Sequence, residues 1–266
     1  MTMTPFDQGA HAVRFEWGAR GLSEVVGARG IGIVVDVLSF STSVTVAAQR
    51  GILVYPVARD GPAASALAER VGAAVATRRV DLSPARPWSL SPASLRSAPH
   101  VARLVLPSPN GAALCEGAEV PVAVGSLRNA AAVAAWAAQR LADGSVTHVG
   151  VIAAGERWPD GSLRPCLEDL LGAGSIASRL AGAGVECSPE ARAAADAYAA
   201  TPSIRDALAG CASGLELSAA GFARDVEIAA ELDVTDVVPL LGPGGCLDAS
   251  SALSQAWRAR SAAPRD

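Results

Sequence analysis

Two textures alternate along the chain. Short apolar runs rich in β-branched residues recur at 31–38 (IGIVVDVL), 52–57 (ILVYPV), 102–108 (ARLVLPS), 120–126 (VPVAVGS) and 147–155 (THVGVIAAG). Apolar residues dominate each run instead of alternating with polar ones, so each predicts a strand buried on both faces. Between them lie Ala-rich stretches at 42–51, 129–144 and 167–184, made of good helix formers and ending at Gly51, Gly144 and Gly184 as helix stops. Strands alternating with helices predict an α/β fold with a mostly parallel sheet covered on both faces.

Beyond residue 186 the pattern becomes helical with short breaks and ends in the strand-like DVVPLL at 236–241. This divides the chain into a sheet region (1–185) and a mainly helical region (186–266) that packs on the same sheet or caps it, with one continuous domain the alternative. The Pro- and Ser-rich segment 86–100 is expected to be a surface loop, and the last residues, 259–266, to be frayed.

Polar residues concentrate where strands give way to helices. Four segments, DVLSFST (36–42), PSPNG (107–111), GSLRN (125–129) and GERWPDGSLRP (155–165), follow predicted strands, and the carboxyl edge of a parallel sheet is where α/β proteins bind ligands. Turn chemistry alone explains part of this, because such turns need Gly, Pro, Asn and capping hydroxyls.

Asp36 ends a very apolar run, so its charge needs a partner: a divalent cation, a helix end or a salt bridge. Ser41 and Thr42 fall at a helix amino end, where free N–H groups favour phosphate. Asn110 and Gly111 make a tight turn with N–H groups available to a ligand. Arg128 can grip an oxyanion in bidentate fashion beside Asn129, and Arg157 lies among the charges of 155–165. Glu168 and Asp169 occupy a first helical turn, pointing away from the apolar stripe of Leu167, Leu170, Leu171 and Gly174. Dipole compensation accounts for acids there. The surrounding Glu156, Asp160 and Arg164 exceed what capping requires.

Composition narrows the chemistry. Half of the 266 residues are hydrophobic, 18% are charged and the net charge is -4, which predicts a soluble globular protein without an electrostatic footprint for nucleic acid. The amino-terminal residues lack a signal-peptide pattern and no apolar run is long enough to span a membrane, so a cytoplasmic location is expected. Five dispersed cysteines without a CxxC indicate neither a disulfide framework nor a zinc site. Carboxylates without a His or Cys ligand set suit Mg²⁺, which prefers oxygen donors. No GxGxxG follows the first strand, which argues against a dinucleotide-dependent oxidoreductase.

Taken together and in order, VVDVLSFST (34–42), LPSPNGAAL (106–114), GSLRNAAAVA (125–134), AAGERWPDGSLRPCLEDLLGAGSI (153–176) and SAAGFARDVEIAAELDVTDVVP (218–239) resemble the 2-phosphosulfolactate phosphatase family. The resemblance implies a three-layer α/β/α fold and a Mg²⁺-dependent acid phosphatase that hydrolyses 2-phosphosulfolactate to sulfolactate and phosphate in the coenzyme M pathway. It makes Asp36, Asn110, Gly111, Asn129, Glu168 and Asp169 the matched polar positions, with Asp36, Glu168 and Asp169 as catalytic residues or Mg²⁺ ligands. A small phosphate ester is then the partner, and a homo-oligomer is compatible. Two positions depart from the family pattern: Ser39 stands where an arginine is expected, and Leu90 where an asparagine is expected. Loss of the arginine weakens phosphate or sulfonate recognition unless Arg128, Arg157 or Arg164 replaces it, and leaves a competing expectation, a non-catalytic relative that binds small anions.

Overall fold

The computed structural model describes residues 5–116 and 118–249; the predicted frayed end, 259–266, lies outside them. The chain opens with β1 (Val13–Trp17) and α1 (Gly18–Val25), followed by β2 (Gly30–Val35), α2 (Phe40–Gln49), β3 (Leu53–Val57), α3 (Pro62–Val71) and β4 (Ala74–Val75). Next come α4 (Pro92–Ser97), β5 (Arg103–Pro107), α5 (Gly111–Cys115), β6 (Val122–Gly125), α6 (Ala130–Ala142) and β7 (His148–Ala153). A small hairpin, β8 (Glu156–Arg157) and β9 (Leu163–Arg164), precedes the long α7 (Leu167–Gly182). The chain continues through α8 (Pro189–Ala199), α9 (Ile204–Gly210), α10 (Ala212–Ala219), α11 (Ala223–Ala229), β10 (Leu240–Leu241) and β11 (Leu247–Asp248).

Among the described residues one sheet runs in the order β1-β7-β2-β6-β10-β11-β3-β5-β4. The blocks β1-β7-β2-β6 and β3-β5-β4 are each parallel, and the short β10–β11 hairpin joins them with antiparallel pairings on both sides. Among the described residues, the region after residue 186 therefore supplies two strands to the middle of the sheet as well as four helices.

β2 shows why the runs are continuously apolar. All six of its residues are buried, because Ile31, Ile33 and Val35 face a core shared with α6, α7 and α8 while Val34 faces one built by α1, α2 and α5. Helices thus cover both faces, giving three α/β/α layers. The predicted stops are real ends: Gly51, Gly144 and Gly184 all have positive φ, at 70°, 72° and 81°.

Segment 86–100 departs from its surface-loop reading. It contains α4, capped by the Ser91 side chain accepting from Ser94 N–H, and Leu95 is fully buried. Pro92 marks the first helical turn, not an interruption. β1 escaped the reading because VRFEW carries two charges in five residues.

Helix α7 packs along α8, and Gly174 permits the close approach. A Cβ there would fall 2.0 Å from the Ala194 carbonyl oxygen, which is backbone and cannot swing aside. Gly174→Ala is expected to push the two helices apart and destabilise the fold by roughly 1–3 kcal/mol, measured by urea unfolding.

Candidate active site

Three of the four polar segments meet around Asp36, which follows β2. Its Oδ1 accepts from Phe40 N–H at 3.0 Å and its Oδ2 from Gly111 N–H at 2.7 Å, with the Ser108 hydroxyl donating to Oδ2 at 3.5 Å. The first bond uses the amino end of α2 and the other two use the loop after β5. Gly111 is required by this approach: a Cβ would lie 2.7 Å from Asp36 Oδ2 and 2.5 Å from the Phe40 ring. Asn110 extends the junction, its Nδ2 donating to Glu156 Oε1 on the hairpin at 2.9 Å.

Asp169 closes the arrangement from the other side. Its Oδ1 accepts from Val37 N–H at 2.7 Å and its Oδ2 from Gly155 N–H at 2.8 Å, so one carboxylate ties together the segments that follow β2 and β7. Glu168 precedes it in the first turn of α7. Glu168 and Asp169 are each only 3% exposed, which corrects the expectation that both carboxylates face away from the protein interior. Side chains in a helix lean toward its amino end, and the amino end of α7 is covered by the hairpin and the loop after β2. Leu167, assigned to the apolar stripe, is instead exposed.

Burial dominates the electrostatics. It pushes the Asp36 carboxyl up to about 6; the N–H bonds from Phe40 and Gly111 oppose the rise, and repulsion from Glu156 and Glu168 adds to it. Burial likewise raises Asp169 well above the usual carboxylate range, with repulsion from Asp36 and Glu168 added and the N–H bonds from Val37 and Gly155 opposing. Among the described residues, Asp36, Glu156, Glu168 and Asp169 form no ion pair with any Arg, Lys or His. Negative charge is therefore concentrated and held in place by neutral donors. Cys166 and Cys211 beside it are poor nucleophiles, since burial pushes their thiols up to about 12 and about 11.

The remaining candidates serve other ends. Asp36 N–H donates to Ser41 Oγ at 2.5 Å and Thr42 Oγ1 donates to the Val37 carbonyl at 2.8 Å, so both hydroxyls brace the loop after β2. Segment 125–129 does not join the cluster. Arg128 is 1% exposed and is engaged by Glu231, Gln49 and Thr45. Asn129 is fully buried, accepting from Ser126 N–H and donating to the carbonyls of Val124 and Val237. Both residues knit α2 and the segment after α11 to the sheet. Arg157 is exposed and donates to the Gly161 carbonyl at 3.0 Å. Much of the charge in 155–165 is satisfied locally, with Asp160 accepting from Ser162 and the Arg164 guanidinium 5.7 Å from the Trp158 ring centre.

Sequence reasoning missed Arg79. Its Nη2 donates to Ser39 Oγ at 2.6 Å and its Nε to Asp225 Oδ2 at 3.1 Å, placing a guanidinium beside Ser39, where the resemblance leads to the expectation of an arginine. The only sequence signal was the departure at Ser39 itself.

Buried carboxylates organised by backbone N–H groups at strand ends can hold a hard cation, orient water and accept a proton. No helix among the described residues is long and apolar enough to cross a membrane. Comparison with curated proteins yields no match. A family model described as 2-phosphosulpholactate phosphatase matches residues 21–243, a span that takes in β2, α7 and every carboxylate of the cluster. With most of its length so matched, the chain belongs to the 2-phosphosulpholactate phosphatase family.

Proposed function

We propose that the protein is a Mg²⁺-dependent phosphoric monoester hydrolase acting on a small 2-phospho-hydroxy acid, with 2-phosphosulfolactate the first candidate and sulfolactate and phosphate the products. The observation that carries this reading is the buried, mutually repelling pair Asp36 and Asp169, fixed by four backbone N–H bonds and lacking a cationic partner among the described residues.

Asp36 and Asp169 fit Mg²⁺ as hard oxygen donors whose like charges a divalent cation would offset. The site is not a three-carboxylate cage: among the described residues no group of three His, Cys, Asp or Glu is arranged to hold a metal ion. Mg²⁺ commonly binds one or two carboxylates and completes its shell with water and phosphate oxygens. When bound, the ion supplies positive charge against the phosphoryl oxygens.

The chain's own residues supply the rest. Glu168 differs from its neighbours in having no backbone N–H bond among the described residues, and its carboxylate accepts a proton from water. That water's oxygen bonds to phosphorus, the ester P–O bond breaks, and the departing 2-oxygen takes a proton from solvent. Asn110 holds Glu156 at the mouth and Gly111 keeps Asp36 in position, so the geometry exists before substrate arrives. The reading places the enzyme in the cytoplasm with a small-molecule partner.

Inorganic phosphate release from racemic 2-phosphosulfolactate and from related 2-phospho-hydroxy acids tests it. Release that requires Mg²⁺ and stops with EDTA is expected. A folded protein that binds these esters and releases no phosphate from any of them would establish the non-catalytic anion binder instead.

A further inference from the structure

Arg79 opens a short 3₁₀ turn (Arg79–Asp81) and is held on three sides. Its Nε donates to Asp225 Oδ2 at 3.1 Å, its Nη2 to Ser39 Oγ at 2.6 Å and to the Leu90 carbonyl at 3.2 Å, and its Cζ lies 5.7 Å from the Phe222 ring centre. Asp225 is itself fixed: 1% exposed, its Oδ1 accepts from Ser91 Oγ at 2.6 Å and from Ala93 N–H at 3.1 Å. An arginine needed only to neutralise Asp225 would not have to reach Ser39. Among the described residues its Nη1 has no hydrogen-bond partner, and the side chain keeps 18% of its surface open to solvent.

Ser39 is the residue before α2, and the next N–H, that of Phe40, holds Asp36. The guanidinium is therefore anchored on the residue that precedes the Phe40 N–H holding Asp36. It forms no ion pair with Asp36 or Asp169. An immobilised, permanently charged fork set apart from the reacting centre suits an anionic group that is bound but not transferred.

The geometry points to Arg79 as the specificity residue that binds a second acidic group of the substrate, a sulfonate or carboxylate, with Asp225 as its positioning residue. This rests on the phosphatase reading above. It also accounts for both departures from the family pattern. Ser39 makes room for a guanidinium delivered from another loop, and Leu90 contributes its carbonyl, which any side chain at that position leaves available.

The test compares kcat/KM for 2-phosphosulfolactate with that for phenyl phosphate, which lacks a second acid, in the wild type, Arg79→Ala and Arg79→Lys. Arg79→Lys keeps a cation beside buried Asp225 and guards against loss of folding. Loss of a charge-assisted bidentate contact predicts a fall of roughly 10- to 100-fold for 2-phosphosulfolactate, mainly in KM, with a far smaller change for phenyl phosphate. Asp225→Asn should raise KM for the same substrate in the same direction. Equal losses on both substrates, or none on either, would overturn the assignment and leave Arg79 a structural partner of Asp225. Calorimetric binding of sulfolactate to the same proteins keeps the two readings separable. If no ester is hydrolysed by the wild type, the phosphatase reading fails, while weaker sulfolactate binding by Arg79→Ala still supports the subsite and unchanged binding rejects it.

Discussion

Asp169→Ala is expected to lower Mg²⁺-dependent phosphate release by roughly 100- to 1,000-fold or more, the scale seen when one preorganised charge-stabilising group is removed. The same change should destabilise the protein by roughly 1–3 kcal/mol, because the N–H groups of Val37 and Gly155 lose their acceptor in the interior. Asp169→Asn separates the two effects. Its carbonyl oxygen can retain one N–H bond, but its amide must face the other N–H donor to donor, and it brings no negative charge for a cation. Activity should fall about as far as in the alanine variant while stability falls less. Phosphate release assayed beside urea unfolding distinguishes the cases. Turnover within a few-fold of wild type in a folded Asp169→Ala protein would reduce Asp169 to a clasp between the segments after β2 and β7.

Such double duty explains which parts of the molecule were legible in the sequence. Strands β3, β5, β6 and β7 fall inside the predicted apolar runs, and β2 starts one residue before its run, because burial on both faces leaves a signal along each strand. Helix ends at Gly51, Gly144 and Gly184 were legible because positive φ selects glycine. Asp36, Glu168 and Asp169 stood out because carboxylates in apolar surroundings demand a reason. Arg128 and Asn129 stood out equally and serve differently: a buried arginine clamping Glu231 and Gln49 has the same composition and local context as one awaiting phosphate. Only the contacts tell them apart. Arg79 was hidden for the opposite reason, since Ser39 and Asp225, which define its role, lie 40 and 146 positions away and TRRVD has no local feature that singles it out. Leu90 could be read as a loss for a similar reason, because the sequence displays its side chain and the fold uses its carbonyl, which accepts from Ser43 and Arg79.

Asp36→Asn is expected to abolish turnover on the same scale as Asp169→Ala and to change sign in its effect on stability with pH. The Asp36 carboxyl rises from 3.8 to about 6 on folding, so the folded state binds its proton more tightly than the unfolded chain does. Stability from this group is fully present below pH 3.8 and is lost as pH rises through about 6, on the order of 3 kcal/mol across that window. In metal-free protein at pH 4 the variant gives up a hydrogen bond from Phe40 or Gly111 and should be less stable than wild type by roughly 1–3 kcal/mol. At pH 7 the wild type carries the cost of an ionised buried carboxylate and the variant does not, so the two should be comparable or the variant more stable. Asp169 is raised partly by repulsion from Asp36, so removing the Asp36 charge also eases Asp169 and adds to the difference between the two proteins in the same direction. Adding Mg²⁺ at pH 7 should stabilise the wild type and do little for the variant, as linkage to binding at Asp36 requires. A pH-independent difference would mean that Asp36 titrates alike in the folded and unfolded states. Equal Mg²⁺ stabilisation of both proteins would place the cation away from Asp36. A site that gains stability when its charge is removed and loses its chemistry with it is one whose cost in folding is met only when cation and substrate bind.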